Sequence, residues 1–222
     1  MSWIHIWNSA GAGSLAAVWT KDFDKAFESI SNTDLLWVKD MSSKRFAEFV
    51  MGRYCARIAI RSLGGEHAQL NRLSDGSVEW PAEWIGSISH SQGVAVALVG
   101  SRNLVQAIGV DIEPLKPLPR EVAQAFTDDR FIGRASKLHG PRLRVGFSAR
   151  EAAFKALSTI GYRIPILAMK TTIWTDGPDY GHFVIEASEW NLTGVEGKWC
   201  ILDRMFHMAS VVIPASSKNI MH

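Results

Sequence analysis

The chain of 222 residues carries 24 Lys+Arg against 22 Asp+Glu, a formal net charge of +2, and is 47% hydrophobic and 21% charged. That balance excludes disordered and fibrous classes; folded chains of this size bury roughly 70% of their unfolded surface, enough for one large domain or two intimate halves. It also excludes nucleic-acid binding driven by global charge, so any anion site must be local.

Cys55 and Cys200 lie far apart and neither belongs to a C-x-x-C pair, which excludes a disulfide framework and a structural zinc site. The N-terminus has no basic residue before Lys21, and the stretch from Ala10 to Val18 is too short and too polar for a membrane span or a signal peptide. A cytoplasmic location is therefore expected, and the sequon at Asn191 to Thr193 is then irrelevant.

In chain order, the first clear element is a helix from Ser43 to Leu63. Phe46, Phe49, Val50, Tyr54, Ile58, Ala59 and Leu63 recur at helical spacing, and Gly64-Gly65 supplies the stop. A turn-rich stretch from Asn71 to Trp84 leads to two short strands, Gly86 to His90 and Val94 to Val99, joined by Ser-Gln-Gly. Ile108 to Glu113 is a further strand ended by Pro114, and Pro117 and Pro119 extend the crossing that follows. A second helix is expected from about Ser148 to Ser158, with Ala153, Phe154 and Leu157 inward and a stop near Gly161. Thr171 to Trp174, His182 to Ala187, Lys198 to Asp203 and Phe206 to Ile213 read as antiparallel strands. Each half is thus a long helix followed by strands, and similar Ala-Arg-x-Ala patterns in the two helices hint at internal duplication.

Several runs carry chemistry. In Gly109-Val-Asp-Ile-Glu113 the strand period sends Asp111 and Glu113 to one face, their Cα atoms roughly 6.5–7 Å apart, so both could reach one hard cation such as Mg2+. The alternative is an edge strand with a solvated polar face. Glu151 and Lys155 share a helix face at i and i+4, and could ligate a metal and hold a phosphate. On spacing alone, Ser148-x-x-Glu151 reads instead as a capping box followed by an ordinary ion pair. Gly86-Ser-Ile-Ser-His90 brings hydroxyls and an imidazole to a strand end, fit either for phosphate oxygens or for a side-chain-stabilised turn. Arg53, Arg57 and Arg61 form an i, i+4, i+8 line, which is a solvated basic face or a phosphate or acidic-protein dock. Arg134, Lys137, His139, Arg142 and Arg144 make a second basic cluster before the second helix, either loop surface or partner patch.

The ordered runs Lys44-Arg45-x-x-Glu48-Phe49-x-x-Gly52-Arg53-x-Cys55-Ala56-Arg57, Trp80-Pro81, Gly86-Ser-Ile-Ser-His90, Gly109-Val-Asp111-Ile-Glu113 and Phe147-Ser-Ala-Arg150-Glu151-Ala-x-x-Lys155 together resemble the 4'-phosphopantetheinyl transferases. The likeness is to the siderophore-synthetase, Sfp-type branch, which includes enterobactin synthetase component D, and it covers Lys44 to Lys155. It implies an α+β fold, a pseudo-dimer of two similar halves, each a long helix on a mainly antiparallel sheet, with coenzyme A in the cleft between them. The halves would be 1–108, with coenzyme A phosphate contacts, and 109–222, with the metal-binding and catalytic motifs.

The implied reaction moves the phosphopantetheine arm of coenzyme A to a serine of an acyl or peptidyl carrier protein, releasing adenosine 3',5'-bisphosphate. By motif position, Asp111, Glu113 and Glu151 would hold Mg2+, or Mn2+ in its place, and Glu151 would be the base for the carrier serine. Lys155 would neutralise the leaving phosphate, while Arg45, Arg53, Ser89 and His90 would hold the nucleotide phosphates. The setting implied is siderophore or other nonribosomal peptide synthesis, by a monomer.

Three positions depart from the family pattern: Arg150 for the usual Lys, Asp75-Gly-Ser-Val for Lys-Gly-x-Pro, and Phe147 for a different leading aromatic. Asp75 and Arg150 motivate one alternative, a non-catalytic coenzyme A or nucleotide-binding module. A carrier-protein-binding scaffold using the basic faces is another.

Overall fold

The computed structural model describes residues 3–9, 13–66, 68–132 and 142–216. The chain divides into two compact units, Met1–Gln106 and Ala107–His222.

The first unit opens with β1 (Trp3–Ser9) and β2 (Gly13–Thr20), followed by the short helices α1 (Phe23–Glu28) and α2 (Asn32–Trp37). Asp22 caps α1, and Ser31 and Asp34 form a reciprocal capping box on α2. The long helix α3 (Ser43–Ser62) starts where Ser42 accepts from the Arg45 amide, at 3.3 Å. A two-residue ladder, β3 (Asn71–Arg72) with β4 (Val78–Glu79), precedes β5 (Trp84–Ser91) and β6 (Val94–Ser101). The sheet order is β1-β2-β6-β5, antiparallel throughout. Gln92 and Gly93 both have positive φ (47° and 78°), the type I′ geometry that lets a two-residue turn join right-twisted strands. Along β5, Gly86 faces the Trp80 ring so closely that a Cβ there would lie 2.6 Å from the ring. The Trp80-Pro81 and Gly86 runs are therefore two sides of one packing contact.

The second unit contains β7 (Val105–Pro114), α4 (Arg120–Ala123), β8 (Arg130–Ile132), α5 (Arg142–Thr159), β9 (Lys170–Gly177), β10 (Tyr180–Ala187), β11 (Leu192–Leu202) and β12 (Phe206–Pro214). Its sheet runs β7-β12-β11-β10-β9-β8, with β8 parallel to β9 and β9 to β12 antiparallel. Ala149, Ala152, Ala153 and Ala156 of α5 are fully buried in the core of this unit. These small side chains allow a close approach: a Cβ on Gly109 would stand 1.8 Å from the Ala152 carbonyl oxygen, so only glycine fits. That contact sets β7 directly beside α5.

Both units are α+β, each with one long helix and a mainly antiparallel sheet. Among the described residues no helix is long and apolar enough to cross a membrane.

The second helix corrects the sequence expectation. It begins at Arg142, six residues before Ser148, so Ser148 lies in the helix interior, fully buried, and caps nothing. The capping-box reading of Glu151 therefore fails, and Arg142 and Arg144 belong to the first turn of α5 rather than to a basic loop. Arg134, Lys137 and His139 lie outside the described residues. Strands β1, β2 and β8 and helices α1, α2 and α4 carry no signal picked out above; β2 is buried along its length from Leu15 to Thr20, and so lacks the alternation that marks a half-exposed strand.

Candidate active site

In the second unit β7 presents Asp111 and Glu113, and α5 presents Glu151 and Lys155. Because Gly109 seats β7 against α5, the Lys155 ammonium reaches across to donate to Asp111 Oδ1 at 2.8 Å and to the Val110 carbonyl at 3.0 Å. The Asp111 side chain is nearly buried and that of Lys155 about a quarter exposed (8% and 28%), so the pair is not screened as a surface bridge would be. Lys155 thus spends its charge on Asp111 rather than in an ordinary helical pair with Glu151 alone.

Glu113 accepts from Arg144 Nη1 at 2.6 Å. Burial pushes its carboxyl above the usual range, with the Arg144 hydrogen bond opposing and the Asp111 charge adding to the rise. Glu151 is raised too, by burial first and then by Asp111, with Lys155 pulling the other way. A raised carboxyl is the state a general base near neutral pH needs. Asp111 therefore stands electrostatically between the two glutamates.

Three carboxylates are hard oxygen donors of the kind Mg2+ takes, and repulsion among them is what an added cation would relieve. In this respect the residues fit a divalent metal. Among the described residues, however, no three His, Cys, Asp or Glu side chains converge on one ready-made ion position. Two of the three carboxylates are instead engaged by Lys155 and Arg144.

His207 on β12 was missed in the sequence. It is fully buried, donates from Nε2 to the Arg144 carbonyl at 3.3 Å, and is pushed down to about 4 by burial, so it is a neutral strut at neutral pH. Nothing in Phe206-His-Met signals this, because the partner is a backbone carbonyl 63 residues away.

Arg150 does not face Glu151's side of the helix. It is fully buried, pairs with Asp129, and donates to Asp128 at 3.1 Å and Thr171 Oγ1 at 3.3 Å, with its guanidinium 4.6 Å from the Phe126 ring centre. Arg150 is therefore a structural lock within the second unit.

In the first unit Arg45 and His90 come together, with Arg45 Nη1 to His90 Nε2 at 2.7 Å. A guanidinium only donates, so Nε2 accepts and the imidazole proton sits on Nδ1, 3.4 Å from Glu48 Oε1. Glu48 is also 3.6 Å from Arg45 and 3.9 Å from Lys44. Ser89 alternates with His90 on β5 and projects from the opposite face, buried, so these two neighbours do not share one surface.

Arg53 is buried at 3% exposure, donates from Nη2 to the Asn71 carbonyl at 2.9 Å, and lies over the Phe49 ring at 4.9 Å. Burial lowers it to about 10, still protonated at neutral pH. Its Nη1 is buried with no hydrogen-bond partner among the described residues. Arg57 pairs with Asp34 and ties α3 to α2. The basic line is thus neither a solvated face nor an open dock: two of its three members are internal. Asp75 accepts from the Ser77 amide (2.9 Å) and hydroxyl (2.6 Å), forming its own turn.

A family model for the 4'-phosphopantetheinyl transferase N-terminal domain matches residues 34–100. The 4'-phosphopantetheinyl transferase PptT of Mycobacterium tuberculosis is 31% identical over 186 residues, covering 77% of this chain and 80% of the relative. The chain belongs to the 4'-phosphopantetheinyl transferase family. The transferase Svp of Streptomyces mobaraensis is 30% identical over 171 residues, 70% of this chain and 68% of the relative. Enterobactin synthase component D of Salmonella typhi is 34% identical over 149 residues, 62% and 60% of the two chains. Within this transferase family assignment, the residues brought together are Asp111 with Lys155 and Arg45 with His90, while Ser89 and Arg53 are held apart from exposed surface.

Proposed function

We propose that the protein transfers the 4'-phosphopantetheine arm of coenzyme A to a serine of an acyl or peptidyl carrier protein, releasing adenosine 3',5'-bisphosphate. The observation that carries this reading is Glu151, a raised carboxyl, beside the Asp111–Lys155 pair on facing elements of one unit. The carrier serine oxygen attacks the phosphorus that bears the pantetheine arm. Its proton passes to Glu151, and the bond from that phosphorus to the oxygen of the bisphosphate leaving group breaks. Lys155, released from Asp111, neutralises charge on the leaving phosphate.

Asp111, Glu113 and Glu151 would hold Mg2+, or Mn2+ in its place. When bound, that ion would supply electrostatic stabilisation to the pyrophosphate oxygens. Arg45 and His90 would grip nucleotide phosphates at the surface, with Arg53 Nη1 as a deeper donor and Ser89 as a hydroxyl contact. In this reading, residues 1–108 serve the coenzyme A phosphates and 109–222 serve metal and chemistry. The protein acts as a monomer in the cytoplasm, in siderophore or related peptide synthesis.

The test is chromatographic detection of adenosine 3',5'-bisphosphate. Its release is expected only when coenzyme A, an apo carrier protein and Mg2+ are all present. Coenzyme A binding without release would favour a non-catalytic binding module.

A further inference from the structure

Arg144 is used by neither the family motif nor the reaction above, yet all three of its guanidinium nitrogens are committed. Nε donates to the Lys116 carbonyl at 2.8 Å, Nη2 to the Pro117 carbonyl at 2.9 Å, and Nη1 to Glu113 Oε2 at 2.6 Å. Its own carbonyl accepts from buried His207. The side chains of Arg144 and Glu113 are only 14% and 19% exposed.

We propose that Arg144 is a resident counter-cation that competes with the divalent metal for Glu113 and so sets the metal affinity of the site. The inference rests on the reading of Glu113 as a metal ligand. An exposed Arg–Glu pair would swing apart at little cost. Here the two carbonyl anchors hold the planar fork in place, so its charge remains when a metal arrives. Lys155 on Asp111 differs: its ammonium is a point charge on a flexible stem, made for moving to a phosphate. The acidic site thus contains one cation that can leave and one that stays, and the one that stays penalises every divalent ion bound beside it.

Mn2+ alone is the probe, its free concentration read by electron paramagnetic resonance during titration of the full chain without coenzyme A. Arg144→Gln is expected to bind Mn2+ about tenfold more tightly than the unaltered protein, from removal of one nearby like charge. Arg144→Lys keeps the charge but loses the two carbonyl anchors, so its ammonium can swing aside as that of Lys155 can; it should bind Mn2+ about two- to fivefold more tightly than the unaltered protein while lowering the melting temperature. An unchanged or weaker affinity in Arg144→Gln overturns the proposal, making Arg144 a positioning residue for Glu113. Should the Gln variant not fold, the Lys variant decides: an affinity unchanged from or weaker than that of the unaltered protein overturns the proposal. Absence of Mn2+ binding by every form overturns the metal assignment and this competition with it. Metal binding that behaves as expected without phosphopantetheine transfer counts against the transfer reading alone.

Discussion

The two charged clusters are opposite in sign but built on one plan. In the first unit, Lys44, Arg45 and His90 gather around a single acid, Glu48. In the second, Asp111, Glu113 and Glu151 gather around two cations, Lys155 and Arg144. Each cluster carries its own counter-charge, so neither requires its ligand in order to be compatible with a folded core. In the proposed reading a phosphate or a metal enters by exchange, displacing a side chain of its own sign. This is why a chain with a net charge of only +2 can hold two strongly polar sites.

The comparison breaks most visibly at Glu151. Glu151→Gln is expected to lower turnover about 10^2–10^4-fold, the range for loss of a general base, with coenzyme A affinity retained. Steady-state kinetics check this, and a modest loss would remove Glu151 from the chemistry.

Arg150 sharpens the contrast between charge that serves a ligand and charge that serves the fold. Arg150→Met leaves Asp129 buried without its partner and should cost about 3–5 kcal/mol of stability, measured by denaturant unfolding. A loss below about 1 kcal/mol would place the burial energy elsewhere.

Arg45→Ala tests the cationic cluster. Loss of a charge-assisted hydrogen bond should raise the KM for coenzyme A about tenfold or more with kcat little changed. A fall in kcat alone would move Arg45 out of the binding role.

Glu151 also makes a stability prediction in the absence of metal. Its folded carboxyl is raised above 4.5, so between that value and its folded pKa the native state binds more protons than the unfolded state. That contribution to stability is present below 4.5 and is lost as pH rises through the folded pKa. Glu151→Gln should therefore melt slightly higher than the unaltered protein at pH 7 and show no advantage near pH 4, by thermal unfolding in chelator. The smallest effect is expected from Glu48→Gln. Removing the resident acid should lower the KM for coenzyme A about two- to fivefold, because the Lys44 and Arg45 charges it faces are about half exposed or more, and pairs screened in this way are worth about 1 kcal/mol or less.

How far the sequence revealed this depends on whether a residue's partner is local. Helix α3 was legible from its own apolar spacing and from Gly64, which acts within a turn of its end; Ser42, which caps its start, is equally local. Helix α5 was misread at its start because Ser148-x-x-Glu151 mimics a cap, while the true first turn, Arg142-Leu-Arg-Val, looks like a basic loop. Asp111 and Glu113 were legible as a pair from strand period alone. What brings Lys155 to Asp111 is the Gly109–Ala152 contact, 43 residues apart in the chain, and no local pattern encodes it. The same holds for Arg144: it reads as one of five basic residues, and only the fold aims it at Glu113. Arg53 was legible as basic but not as buried, since its helical position says nothing of what packs over it.

The most direct test is intact-protein mass spectrometry of an apo carrier protein incubated with this enzyme and coenzyme A, with Mg2+ or with chelator. The predicted result is a carrier heavier by one phosphopantetheine group with Mg2+ and unchanged with chelator. An unchanged mass across a panel of siderophore, polyketide and fatty-acid carriers would contradict the account.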